Sequence, residues 1–203
     1  MGRPAISEQD FEKEQERIRD AAQTLFEQGG RDAVTLRAIS KTLGSSPMQP
    51  YRYFPGGKNH ILATVKARAF DRITQHLQEV THSSLDDIEM LQAYFGAYID
   101  FALQDPLSFS LMFEQNTESE AETEYPELVA AEARARAPIV ELIEHIVESR
   151  NLDEDAHQIA QIVWASAHGL VMLHLSGQLK FGSTMEDLGA VLARALKAGL
   201  LPN

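Results

Sequence analysis

The sequence predicts an all-α protein of about nine helices, a three-helix helix-turn-helix head followed by a larger helical bundle. Two observations carry that expectation. Apolar residues recur at spacings of three and four along the 203 residues, and no stretch alternates as a strand would. Capping residues and Gly or Pro breaks divide these periodic stretches into helix-length pieces. A third observation sets the head apart. Between Ala33 and Phe70 stand six basic residues (Arg37, Lys41, Arg52, Lys58, Lys66, Arg68) and no Asp or Glu, in a chain of formal charge −12.

Each element has its own signals. The first helix is expected from Ser7 to Gln28, with Phe11, Ile18, Ala21, Ala22, Leu25 and Phe26 on one face, and Gly29-Gly30 ends it. Thr35 caps a second helix whose Leu36, Ile39 and Leu43 face inward, and Gly44-Ser45 turns the chain. Ser46 is expected to cap the third, with Pro47 at its first position and Gln49 three residues after the cap. Pro55-Gly56-Gly57 breaks the chain before a long fourth helix, Lys58 to Val80. Five more helical stretches follow. Ser84 caps the fifth, to Gln104; Asp105-Pro106 restarts the sixth; Pro126 opens the seventh, to Ser149; Asp153 the eighth, to Ser176; Thr184 the ninth, to Leu200. The glutamate-rich stretch Gln115 to Tyr125 reads as a loop.

Charge divides the chain. Residues 1–60 hold nine Lys/Arg against eight Asp/Glu, whereas 61–203 hold nine against twenty-two. An acidic body repels a polyanion and orients the basic head toward it, where Lys and Arg gain by neutralising phosphates. The absence of cysteine excludes disulfides and thiolate metal sites and fits a reducing cytoplasm. No apolar run approaches the ~20 residues that span a bilayer, and no apolar signal core opens the chain. A cytoplasmic protein with no membrane partner is expected. No His–carboxylate set at metal spacing, phosphate loop or nucleophile elbow is present, so neither an enzyme nor a cofactor is expected.

The stretches Ile18-Arg-Asp-Ala-Ala-Gln-Thr-Leu-Phe-Glu-Gln-Gly29, Val34-Thr-Leu-Arg-Ala-Ile-Ser40, Leu43-Gly-Ser-Ser46 and Tyr51-Arg-Tyr-Phe-Pro55 together resemble the TetR family of bacterial transcriptional regulators. The resemblance implies a homodimer whose paired third helices enter successive major grooves of a near-palindromic operator. It also implies phosphate contacts for Tyr51, Tyr53 and Lys58. Thr35 and Ser46, at helix starts, can add hydroxyls and backbone amides. Base reading falls to Met48, Gln49 and Arg52, since Gln can bond an adenine edge and Arg a guanine. Gln49 can equally close the capping box on Ser46. Arg37 lies within reach of groove edge or backbone, and Arg3 is either a minor-groove arm or a tail. Phe54 packs in the head's core. Two departures from the family pattern stand out: Pro50 within the third helix, and one extra residue between Phe54 and Lys58.

In the body, Trp164-Ala-Ser-Ala-His-Gly169, with Asp105-Pro106 and Leu111-Met-Phe113, resembles the Trp-His-Gly class of TetR C-terminal domains. The 3.6 period puts Trp164, His168, Val171, Met172 and Leu175 on one face of the eighth helix. Ile159, Ile162, Val163, Ser166, Leu170 and Leu173 fall largely on another. The second face, with Leu188, Val191, Leu192, Ala195 and Leu196 of the ninth helix, is expected to form a two-fold dimer interface. Phe95, Tyr98, Phe101, Phe109, Met112, Phe113, Trp164, His168 and Met172 suit a mostly apolar site for a small-molecule effector, and suit ordinary core as well. The expected division is a helix-turn-helix domain over 1–58 and a ligand-binding and dimerisation domain over 59–203. The function expected is that of a ligand-responsive regulator. The alternative is a regulator whose body only dimerises or contacts other proteins.

Overall fold

A computed structural model of the protein describes residues 7–82, 84–114, 125–179 and 184–200, the side chains of 186, 196, 197, 199 and 200 excepted. Arg3, the stretch 115–124 and the Leu196 side chain therefore lie outside the described residues. Among the described residues the chain forms nine helices and no strand. They are α1 (Glu8–Ala33), α2 (Leu36–Leu43), α3 (Gln49–Tyr53), α4 (Gly57–Glu79), α5 (Asp87–Gln104), α6 (Pro106–Phe113), α7 (Pro126–Ser149), α8 (Ala156–Leu175) and α9 (Met185–Leu200). Contacts group the chain into two compact units, Met1–Ala69 with Ser110–Glu132, and Phe70–Phe109 with Ala133–Asn203.

In the first unit the caps explain the boundaries. The Ser7 hydroxyl accepts from the Asp10 amide to start α1, and Gly29 and Gly30 leave helical geometry, so that only Arg31–Ala33 continue past the break. The Thr35 hydroxyl accepts from the Ala38 amide at 3.1 Å. Gly44 closes α2 in the left-handed region at φ 63°. The third helix starts later than expected. Ser46 offers its carbonyl, not its hydroxyl, to the Gln49 amide at 3.0 Å, and Met48 occupies the N-cap with no side-chain bond. The cause is Pro50. A helix begun at Pro47 would need the Pro50 amide to donate to Ser46, and proline has none. Beginning at Gln49 puts Pro50 in the first turn, where the amide would be orphaned anyway. Ile18, Ala22, Phe26, Ile39, Phe54 and Ile61 form the core of this unit, and Leu111 joins them.

In the second unit Asp86, not Ser84, caps α5. Its carboxylate accepts from the Ile88 and Glu89 amides while Glu89 accepts from the Asp86 amide. Likewise Asp155, two residues beyond Asp153, caps α8. Thr184 caps α9 as expected, its hydroxyl accepting from the Asp187 amide at 3.1 Å. A carboxylate accepts several amide bonds where a hydroxyl accepts one, which decides between neighbouring candidates. Ile143 and Ile146 of α7 pack with Ile88, Leu91, Ile159 and Val163, and α5, α8 and α9 pack on one another.

Candidate nucleic-acid interface and the aromatic relay

The six basic residues of the acid-free stretch divide in the structure. The Arg68 guanidinium pairs with Glu16 at 2.5 Å and Asp20 at 3.0 Å. Lys66 is buried, its ammonium donating to the Glu114 carbonyl at 3.2 Å. Neither adds to a basic surface. Arg37, Lys41 and Arg52 are exposed and Lys58 half-buried, none with an acidic partner among the described residues. The basic face is therefore smaller than the sequence suggests and is confined to α2, α3 and the start of α4.

The two tyrosines part company. Tyr51 is 45% exposed beside Met48 at 69%, whereas Tyr53 is 7% exposed. The ring of Tyr53 packs on Phe11 with centroids 4.9 Å apart, and its carbonyl accepts from the Gln15 side chain at 3.0 Å. Tyr53 is thus core, a correction to its expected place among phosphate contacts. The physical reason is register: in a helix begun at Gln49, Tyr53 falls on the side facing α1. Arg52, its guanidinium 6.0 Å from the Tyr53 ring centroid, stays exposed, and Phe54 is fully buried as expected. Gln49 does not close a capping box on Ser46. Its amide donates to the Glu14 carboxylate at 2.6 Å. Ser46 is exposed in the turn, and Thr35 stands exposed at the start of α2.

The turn before α4 depends on glycine. Gly57 has φ 61°, and a Cβ there would lie 3.0 Å from the Tyr51 ring. Gly57, the residue before Lys58, thus combines left-handed geometry with close approach to an aromatic. Behind the turn, the His60 ring stacks on Tyr125 at 4.6 Å and its Nε2 lies 2.9 Å from the Glu127 carboxylate. Glu14, Gln15 and this triad carry no signal in the sequence. Only the fold juxtaposes residues 38 and 67 positions apart.

Four members of the expected aromatic cluster meet in the second unit. The Trp164 indole N–H donates to the Tyr98 hydroxyl at 3.3 Å, and that hydroxyl lies 2.9 Å from His168 Nδ1. Phe109 packs edge-on to Tyr98 at 5.4 Å and tilted on His168 at 5.6 Å. Burial raises the Tyr98 phenol well above its ordinary range, the bond from Trp164 offsetting only part of this, and burial lowers the His168 imidazole. Phe95 and Phe101 are buried in the same unit, and Phe101 lies 6.3 Å from His76. Met112, buried, and Phe113, half-buried, belong to the first unit. Met172 is exposed, so it does not share an inward face with Val171; they stand about 100° apart on α8.

The face expected at an interface also divides. Ile159 and Val163 are buried against Ile143 and Ile146, a correction, since the inward face of α8 runs Ile159, Ala160, Val163, Ala167, Val171. Ile162, Leu173, Val191 and Ala195 are exposed, and Ser166, Leu170, Leu188 and Leu192 half-buried. An apolar surface of several large side chains on two packed helices is unusual for a lone subunit.

Among the described residues no helix is long and apolar enough to cross a membrane, and no His, Asp or Glu cluster is set to hold a metal. Residues 18–65 match the family described as bacterial regulatory proteins, tetR family, and residues 91–198 match the tetracyclin repressor-like, C-terminal domain. The chain is 28% identical to the uncharacterized HTH-type transcriptional regulator Rv0681 of Mycobacterium tuberculosis, over 80% of this chain and 70% of that protein. It is 36% identical to the HTH-type transcriptional repressor KstR of Rhodococcus jostii over 36% of this chain and 34% of KstR. A solved structure from Rhodococcus sp. RHA1, of unknown function, shares the fold at TM-score 0.74 and 21% identity. That match covers 92% of this chain and 95% of the other.

Proposed function

The chain belongs to the TetR family of bacterial transcriptional regulators, and from that membership we propose a dimeric cytoplasmic repressor that binds a near-palindromic operator and is released by a small, mostly apolar molecule. The observation that carries the DNA-binding part is the exposed set Arg37, Met48, Tyr51 and Arg52, with half-buried Lys58, on α2, α3 and the start of α4. Lys58, Tyr51, Arg37 and Thr35 hold phosphates, while Met48 and Arg52 face base edges. The exposed apolar residues of α8 and α9 support dimerisation, which sets the separation of the two heads. Trp164-Ala-Ser-Ala-His-Gly169 supports placing the body in the Trp-His-Gly class.

Effector binding is assigned to the surroundings of Tyr98, Phe109, Trp164 and His168. Helix α4 contributes residues through Ala69 to one unit and from Phe70 to the other. An effector that favours one placement of α4 changes head spacing and, with it, operator affinity. No catalytic step is assigned. A body that serves only dimerisation is the second reading, favoured by one observation: Trp164 Nε1, the Tyr98 hydroxyl and His168 Nδ1 bond to one another.

Selection from a random duplex library followed by sequencing tests the DNA-binding part. An inverted repeat with half-sites about 10 bp apart, or a multiple of that, is expected. No enrichment overturns it. Titration of fatty acids, sterols and aromatic hydrocarbons against the selected duplex, with Trp164 emission read in parallel, tests the effector. Release and emission change over one concentration range is expected, and neither response to any of them leaves the second reading.

A further inference from the structure

Helix α3 is five residues long, and its N-cap makes no side-chain bond. One turn of helix with a proline in it does not hold its own orientation. What holds it is α1. At one end Gln49 Nε2 donates to Glu14 Oε1 at 2.6 Å. At the other, Gln15 Nε2 donates to the Tyr53 carbonyl at 3.0 Å, and the Phe11 ring packs on Tyr53 at 4.9 Å. Phe11, Glu14 and Gln15 are three and four apart, one face of a single helix. The second oxygen of Glu14 accepts from Arg17 Nη1 at 2.8 Å, and its side chain is 15% exposed, so the carboxylate is fixed where it meets Gln49.

We propose that Glu14 and Gln15 are positioning residues for sequence readout, and that Gln49 sets the angle of α3 through Glu14 instead of reading a base. This rests on the operator-binding reading above. A Gln49 turned to a base would leave a largely buried carboxylate short of a donor, which costs more than a neutral bond forgone. Base discrimination then comes from Met48 and Arg52, whose side chains are exposed on the α3 segment held at both ends.

The test begins on the protein without DNA. In Glu14→Ala, hydrogen exchange at the Phe54 amide, which donates to the Pro50 carbonyl, is expected to speed up about tenfold, the loss of one charge-assisted bond. Glu14→Gln, which still offers a side-chain oxygen, is expected to exchange at close to the wild-type rate. Unchanged exchange in Glu14→Ala overturns the proposal whatever the protein does with DNA. The second arm uses the duplex that the wild type selects and its single-base-pair variants. Gln49→Ala and Glu14→Ala are expected to lower affinity by a similar factor and blunt preference at several positions together, with the double variant no worse than either single one. Preference lost at one base pair in Gln49→Ala, with Glu14→Ala fully discriminating, overturns the proposal. If the wild type selects no duplex, the operator reading fails, while the exchange result still decides whether α1 holds α3.

Discussion

The Tyr98 hydroxyl lies 2.9 Å from His168 Nδ1, although the two are 70 residues apart in sequence. With the Trp164 N–H donating to the same oxygen, the phenol proton is left to face the imidazole. A neutral imidazole with its proton on Nε2 can accept that proton, and burial, which lowers the proton affinity of His168, favours the neutral ring.

Tyr98→Phe removes the shared oxygen and leaves the indole donor and the imidazole acceptor without it. The expected cost is about 1–2 kcal/mol, which lowers Tm by about 2–8 °C for a chain of this size. Trp164 emission should shift in the same variant. Calorimetry and fluorescence check the pair together.

The same site predicts a pH dependence. His168 has a depressed folded-state value, so below about pH 6.5 the unfolded chain takes up a proton that the folded chain resists. Its contribution to stability is full above that pH and is lost as pH falls through it. For Tyr98 the folded value is raised, so stability falls as pH climbs past about 10, where the unfolded phenol ionises first. Denaturant melts from pH 5 to 8 should show the acid-side slope in the wild type and a flatter curve in His168→Gln.

Leu173 is exposed near the C-terminal end of α8. In Leu173→Glu a dimer would bury two unpaired carboxylates, while a lone subunit would lose nothing. Light scattering should report a folded monomer. Operator affinity should fall about 100-fold or more, because two half-sites are no longer engaged at once. A fully dimeric variant removes this face from the interface.

Glycine placement gives a graded test. At Gly44 (φ 63°) a Cβ meets nothing within 4 Å, so Gly44→Ala carries only the backbone cost, about 1 kcal/mol. At Gly57 (φ 61°) it also meets the Tyr51 ring at 3.0 Å. Gly57→Ala should therefore displace Tyr51 and weaken DNA binding beyond any loss of stability. Equal loss of DNA affinity in the two variants would exclude a special role for Tyr51.

Much of the fold was legible in the sequence because helices announce themselves locally. Gly29-Gly30, Gly44, Pro126 and Thr184 each act within a few residues, and each element stands where they place it. Errors arose where two local signals compete. Ser46 against Pro50 was decided by a missing amide, and Ser84 against Asp86 by a carboxylate's greater capacity to accept. Face assignments on α8 failed for a different reason. A helix apolar nearly all round does not say which side its own subunit covers, and Val163 and Met172 exchanged places accordingly. The contacts of Glu14, Gln15 and Glu127 left no sequence signal, since each is a charged or polar residue on an ordinary helix surface until the fold supplies its partner.

Of the proposed DNA contacts, Arg37 and Lys58 are the cations assigned to the phosphate backbone. Fluorescence anisotropy of the selected duplex across 50–300 mM salt measures this directly. The logarithm of the wild-type association constant should fall linearly with the logarithm of salt, by about 0.9 per phosphate neutralised. Each alanine substitution at a phosphate contact should make the slope shallower by about one unit. A slope near zero, or one that the Arg37→Ala and Lys58→Ala substitutions together leave unchanged, would contradict this assignment.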